Sequence, residues 1–331
     1  MGCAESNPLN LNTLPEGVST IRLPNHFSCC FINSVTQCLL NLDEVQKFLL
    51  KFGNIVIEHK LDEIFTATTL GCLAKMYLYI SDSKLADCRV DNMNYLQSIY
   101  SQYKDFTPDK ESDAHEFLLY TFTSFDETVD QVNNIIGKPV ISLFTSLFEV
   151  DVTNFVQCGC GKSITNLDQY NAISIPAEYQ SISTCINHFL KPNRGLANYL
   201  VCHKELKFSN CRQITLLPKI FVLHFMRFTI KNNRYIKNDR CIPILETISL
   251  RTTETENTYT LQSMVIHLGR SINTGHYVTV YRSNNFWLLA DDARTRVLPQ
   301  EEVDELFSFG TIRSDYDSPA IYMMFYAKEE K

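Results

Sequence analysis

The chain has 331 residues, 45% hydrophobic, 11% aromatic and 20% charged, with 11 glycines and 11 prolines; this composition describes an ordinary folded protein with a sizeable core and excludes a disordered one. A formal net charge of −7 and a pI near 5.6 exclude the broad basic footprint of a nucleic-acid binder, and no apolar run approaches the roughly 20 residues of a membrane-spanning helix. With no secretory leader pattern at its start, the chain reads as one domain of a cytoplasmic or nuclear protein, its twelve cysteines kept as thiols and mostly buried.

Residues 1–20 (MGCAESNPLNLNTLPEGVST) are polar and turn-rich and read as a flexible lead-in. Residues 30 to about 50 are expected to be helical, because Phe31, Val35, Cys38 and Leu39 recur on one face while Cys30, Asn33, Ser34 and Gln37 share another. Helices are also expected over 61–80 and 92–104, and a further one opens at DAHEFLLYTFTSF, where Asp113 and Glu116 have capping-box spacing. From 140 the pattern turns to β-rich runs: ISLFTSLFEVDVTNFVQ, KIFVLHFMRFTI, YTLQSMVIHL, HYVTVYR, FWLLADD and AIYMMFYA. A helical part followed by a strand-rich part predicts an α+β protein with a cleft between lobes.

Two places carry candidate chemistry. A helix that starts at Cys30 sets its thiol beside unpaired N–H groups and the positive end of the helix dipole, which favours thiolate. The plainer reading of Cys29 and Cys30 is two buried thiols at a helix start. GHYVTVYRSNNFWLLADDAR reads as a hairpin turning near Ser283 to Asn285, which brings His276 opposite residues 291–293. Period-2 counting leaves Asp291 and Asp292 both open as its partner, since a register slip of one exchanges the faces.

Taken together these segments resemble the ubiquitin-specific proteases, papain-like cysteine peptidases that cleave after the C-terminal Gly-Gly of ubiquitin. LPNHFSCCFINSVTQCLL resembles the family's Cys box, with Asn33, Ser34 and Gln37 setting the register that makes Cys30 the nucleophile, Cys29 the occupant of a Thr place, and Asn25 the oxyanion-stabilising amide. ESDAHEFLLYTF resembles the segment whose Asp, here Asp113, helps hold the ubiquitin tail. LLPKIFVLHFMRF resembles the family's Leu-Pro strand, with Met226 where Lys is usual. YTLQSMVIHLGRSINTGHYVTVYR and WLLADD resemble the His box, which implies His276 as base, Asp291 as the acid four residues after Trp287, and Asp292 as its support or a back-up hydrogen-bond acceptor. By the same resemblance Tyr277 walls the glycine channel and His267 lies near it.

Departures from the family pattern are specific. Phe27 stands where the family has Gly, and Glu111-Ser112 where it has Gln-Gln. The family's fingers often hold structural zinc through two Cys-x-x-Cys pairs; here Cys158, Cys160, Cys202 and Cys211, or His203 in place of Cys211, are the remaining ligand types. The one-residue Cys158-Gly-Cys160 spacing is cramped for that chelate, so a degenerate site held by packing alone is the competing reading. MGCAES matches an acylation pattern on Gly2 and Cys3, and two acyl chains would tether the protein to the cytoplasmic face of a membrane.

The resemblance thus implies a thumb over about 21–139, fingers over about 140–212 and a palm over about 213–331. It also implies a monomeric thiol hydrolase that acts on ubiquitin and ubiquitinated proteins and needs no cofactor for catalysis. Two other readings share these residues: a ubiquitin-binding scaffold whose loop at Phe27 no longer shapes an oxyanion hole, and a protease for another Gly-Gly-tailed modifier.

Overall fold

A computed structural model of the chain describes residues 14–83, 85–158, 163–191, 208–231, 234–271 and 274–330. In chain order the front part holds β1 (Thr20–Arg22), α1 (Cys30–Leu40), α2 (Asp43–Glu58), α3 (Ile64–Ala67), α4 (Thr69–Ser83), β2 (Asp87–Arg89), α5 (Met93–Gln102) and α6 (Ala114–Ile136). The middle holds β3 (Val150–Cys158), β4 (Ser163–Tyr170), β5 (Ile173–Pro176), α7 (Ile182–Phe189) and β6 (Phe208–Leu216). Then follow β7 (Ile220–Met226), β8 (Phe228–Lys231), β9 (Arg234–Lys237), β10 (Thr247–Arg251), β11 (Glu256–Leu268), β12 (His276–Ser283), β13 (Phe286–Asp291), β14 (Arg294–Val297), α8 (Gln300–Phe309) and β15 (Ala320–Lys328).

The helix expected over 30–50 is two helices. Asn41 leaves helical geometry and Leu42 is extended (φ −109°, ψ 117°); the Asn41 side chain donates to Gln37 O at 2.8 Å and closes α1. Asp43 and Glu44 then open α2, where acids suit the positive end of the dipole. The helix expected over 61–80 breaks at Thr68 (φ −126°, ψ 151°), whose hydroxyl accepts the Gly71 N–H at 3.0 Å. The cap at Asp113 forms as its spacing predicts: one carboxylate oxygen takes the His115 and Glu116 N–H groups at 2.7 and 3.0 Å, and Gly137 ends α6 in the left-handed region.

An eight-stranded sheet in the order β14-β13-β12-β11-β15-β7-β5, with β10 on β11, forms the second layer. The first part of β11 pairs with β10 and the rest with β12. Both faces of this sheet are buried, so its strands read as continuous apolar runs. Val265, Tyr277, Met323 and Phe325 join the core shared with α1 and the other front helices. Met264, Ile266, Val278, Val280, Met324 and Tyr326 join a second core that includes α7 and α8 residues. Helix α1, buried along its whole length, is the wedge between helices and sheet. A separate three-stranded sheet, β4-β3-β6, and the β8-β9 hairpin complete the chain.

The lead-in expected through residue 20 is held in place where it is described. Gly17 turns at φ 78°, Val18 is buried against Tyr281, Leu288 and Ala290, and β1 pairs with β2 in parallel. The described end of this segment thus straps the outer side of the β12-β13 hairpin.

Candidate active site

Cys30 is the first residue of α1 and is 3% exposed. His276 is the first residue of β12 and Asp291 the last of β13. The hairpin turns at Asn284 and Asn285 between the Ser283–Phe286 pair, as its sequence predicts. The pair Thr279–Ala290 extended by one residue sets Asp291 opposite Val278, so His276 is its diagonal neighbour on the same face. His276 Nε2 lies 2.6 Å from Asp291 Oδ1, and the Cys30 thiol acts on the same imidazole. Burial alone would lower the His276 pKa; the hydrogen bonds to Asp291 and Cys30, and the charges behind them, overcome it and raise it well above the ordinary imidazole range. The bond from His276 in turn holds the Asp291 carboxyl below its usual range against a smaller desolvation effect.

Asp292, one residue on, makes its hydrogen bonds elsewhere. Its left-handed backbone (φ 51°) turns the side chain toward the loop before α1. One oxygen accepts Asn25 Nδ2 at 2.9 Å and the other Asn33 Nδ2 at 2.8 Å. Desolvation raises its pKa, opposed by those two bonds. Asn33 Oδ1 accepts Asn92 Nδ2 at 3.0 Å, and both amides also bond Pro24 O. Asp292 thus stands beside His276 and Asp291, their ligand atoms within 4.8 Å of one another, while its hydrogen bonds go to the two asparagines.

Asn25 is fixed at both ends, because its Oδ1 accepts the Cys29 N–H and the Cys29 thiol, each at 3.2 Å. Cys29 is fully buried, and burial is the largest of the effects that push its thiol up to about 11. It is a protonated packing and hydrogen-bonding group. Phe27, which stands where a glycine was expected, is not among the residues with positive φ. The residue is 43% exposed and its ring meets Tyr100 edge-on at 6.3 Å, so the loop accommodates the side chain by turning it outward.

Asp113 caps α6 and accepts a hydrogen bond from the Tyr322 hydroxyl. Tyr277 is buried, its ring 4.8 Å from that of His267, which is 1% exposed. Burial first, then the charge of Lys237, pushes His267 down to about 3, so this ring is neutral. Gly275, just before His276, donates its N–H to Glu111 Oε2 at 2.8 Å and joins the two sides of the cleft. Asn33, Asn92, Tyr322 and Glu111 were not singled out as site residues in the sequence; Asn33 and Glu111 lie inside recognised motifs, whereas Asn92 and Tyr322 arrive through long-range contacts that leave no local signal.

Of the expected zinc ligands, Cys211 lies on β6, exposed, opposite Phe155. The Cys158 side chain, Cys160, Cys202 and His203 lie outside the described residues, as do Gly2 and Cys3. Among the described residues the group of three ligand-type side chains that converge is His276, Asp291 and Asp292. Their atoms are already committed to one another, to Cys30 and to the two asparagines.

A cysteine heading a helix wedged against a sheet that carries the histidine is the arrangement of papain-like cysteine hydrolases. The family model described as ubiquitin carboxyl-terminal hydrolase matches residues 21–326. Ubiquitin carboxyl-terminal hydrolase 4 of Arabidopsis thaliana is 24% identical over 88% of this chain and 89% of its own length. Ubiquitin carboxyl-terminal hydrolase 12 of Salmo salar is 25% identical over 93% and 89%. Among solved structures, a SAGA DUB module bound to monoubiquitin matches with a TM-score of 0.69 at 20% identity, covering 97% of this chain and 73% of that one. The chain belongs to the ubiquitin carboxyl-terminal hydrolase family, the cysteine-type deubiquitinases.

Proposed function

We propose that the protein hydrolyses the isopeptide or peptide bond that follows the C-terminal Gly-Gly of ubiquitin, through a thioester on Cys30. The observation that carries this reading is the imidazole of His276 between the Cys30 thiol and the Asp291 carboxylate, the latter at 2.6 Å. That geometry suits a thiolate–imidazolium pair, with the proton on His276 and the carboxylate orienting the ring.

The thiolate attacks the terminal glycine carbonyl. Asn25 Nδ2 carries two protons; Asp292 holds one, and the other serves the oxyanion together with the N–H groups at the start of α1. His276 gives its proton to the departing amine as the C–N bond breaks. It then takes a proton from water, which attacks the thioester and frees the ubiquitin carboxylate and Cys30. Each step uses only groups of the chain and water.

Tyr277, His267 and Asp113 are assigned to the channel that takes the tail, where the absence of any Cβ on the substrate glycines is the selective feature. In this reading the front helices act as thumb, the β4-β3-β6 sheet as fingers and the large sheet as palm. The test is release of a fluorophore joined by an amide to the C-terminus of ubiquitin. Wild type turns over; Cys30→Ala and His276→Ala lose at least about 10³-fold in kcat/KM. A Cys30→Ala variant with wild-type turnover contradicts the proposal.

A further inference from the structure

The loop between α8 and β15 brings one aromatic ring to the site. Tyr316 lies nearly parallel to His276, centroids 5.6 Å apart and planes 18° apart, although the Tyr316 residue itself is 51% exposed. An exposed tyrosine on a loop costs conformational entropy to order, so something must hold the loop. Several bonds do. The Gly269 N–H donates to Asp317 O at 2.7 Å, Ser318 Oγ donates to Asp239 Oδ2 at 3.0 Å, and Thr311 Oγ1 donates to Pro319 O at 3.0 Å. Lys237 gathers the surrounding segments: its ammonium donates to His267 O, Gly269 O and Ser318 O at 3.0, 2.7 and 2.6 Å. All three of its protons are thereby spent on the end of β11, the turn that leads to His276, and the Tyr316 loop.

We propose that Tyr316 is a positioning residue for the catalytic histidine, its ring stacked on the imidazole of His276 and its loop clamped by Lys237. Hydrogen bonds to imidazole nitrogens run along the ring plane, so partners such as Asp291 restrain the ring weakly against tilting out of it. A stacked face supplies that missing restraint. It also favours the imidazolium, because an aromatic face attracts a cation. The ring further shields His276, whose side chain is only 14% exposed although it stands at the cleft. The titratable and charged groups that face His276 are Cys30 from α1, Asp291 and Asp292 from the hairpin, and His267 from β11, with Arg294 behind Asp291. Tyr316 adds to these a contact from a different element.

The inference rests on the reading of His276 as the base, and the test separates the two. Alkylation of Cys30 by iodoacetamide, followed against pH, reports the thiolate–imidazolium pair without any ubiquitin; turnover of the ubiquitin amide reports the reaction. For Tyr316→Ala the expected result is about a 5-fold loss of kcat with KM little changed, and an imidazolium limb about half a pH unit lower in both measurements. Tyr316→Phe keeps the stack and restores wild-type behaviour. Lys237→Met keeps the ring but frees its loop, and is expected to reproduce the Tyr316→Ala limb. A Tyr316→Ala protein with wild-type kcat and an unmoved limb overturns the proposal, as does a loss confined to KM. If His276→Ala retains turnover, the reading of the base fails instead.

Discussion

Two adjacent acids with different work give the sharpest prediction. Asp291→Asn keeps a group that can accept from His276 Nε2 but removes the charge 2.6 Å away. A charge-assisted bond contributes about 1.5–3 kcal/mol. The Asp291 side chain is 43% exposed, so screening places the loss near the lower end, about 1.5 kcal/mol. At about 1.4 kcal/mol per unit, the His276 pKa then falls by about one unit. The imidazolium form is present below that pKa and lost as pH rises through it, so the basic limb of the kcat/KM profile moves about one unit toward neutral. Asp292→Ala instead removes an acceptor shared by Asn25 and Asn33. It is expected to lower kcat about 10- to 100-fold through a loosened oxyanion amide, with a smaller shift of the basic limb than in Asp291→Asn, because Asp292 acts on His276 only through its charge. Full pH profiles of ubiquitin amide hydrolysis distinguish the two. If Asp292→Ala moves the limb and Asp291→Asn does not, the division of labour is reversed and the reasoning fails.

The remaining predictions concern the frame around the site. In Gly275→Ala the new methyl would meet Leu268 O at 2.5 Å and His267 Nε2 at 2.6 Å; a cost of about 1–3 kcal/mol in urea unfolding and a fall in kcat are expected, since His276 follows directly. Arg227 is 1% exposed and bonds the carbonyls of Ile321, Asn238 and Arg240. Arg227→Met should cost about 3 kcal/mol by the same assay, because three acceptors lose their donor. Phe27→Ala loses an edge contact with Tyr100 and should cost about 0.5–1 kcal/mol with kcat within about 2-fold of wild type; a large fall in kcat would show that the bulky residue shapes the oxyanion loop after all.

How far the sequence discloses this site depends on the range of the interactions involved. Local ones are legible: the Asp113 cap needs only its own next three residues, and the β12-β13 turn only its Asn-Asn pair. The break between α1 and α2 was hidden because Leu42 continues the apolar pattern while its backbone is extended. Helices α7 and α8 are short, and their neighbourhoods offered turn residues rather than a long period. Cys30 and His276 were found because each begins an element, where side chains reach a cleft. The choice between Asp291 and Asp292 could not be made by counting, since it depends on the turn of Asp292 into the left-handed region after the strand ends. Tyr316 and Lys237 lie in segments with no motif. Their role comes from β11, β9 and the loop before β15 meeting behind one histidine.

The central claim is that Cys30, not Cys29, forms the acyl bond to a ubiquitin tail. Incubation with ubiquitin carrying a C-terminal electrophile, followed by peptide mapping of the adduct, tests it directly. The account predicts a one-to-one adduct on Cys30, lost in Cys30→Ala and retained in Cys29→Ser; an adduct on Cys29, or one that survives Cys30→Ala, contradicts it.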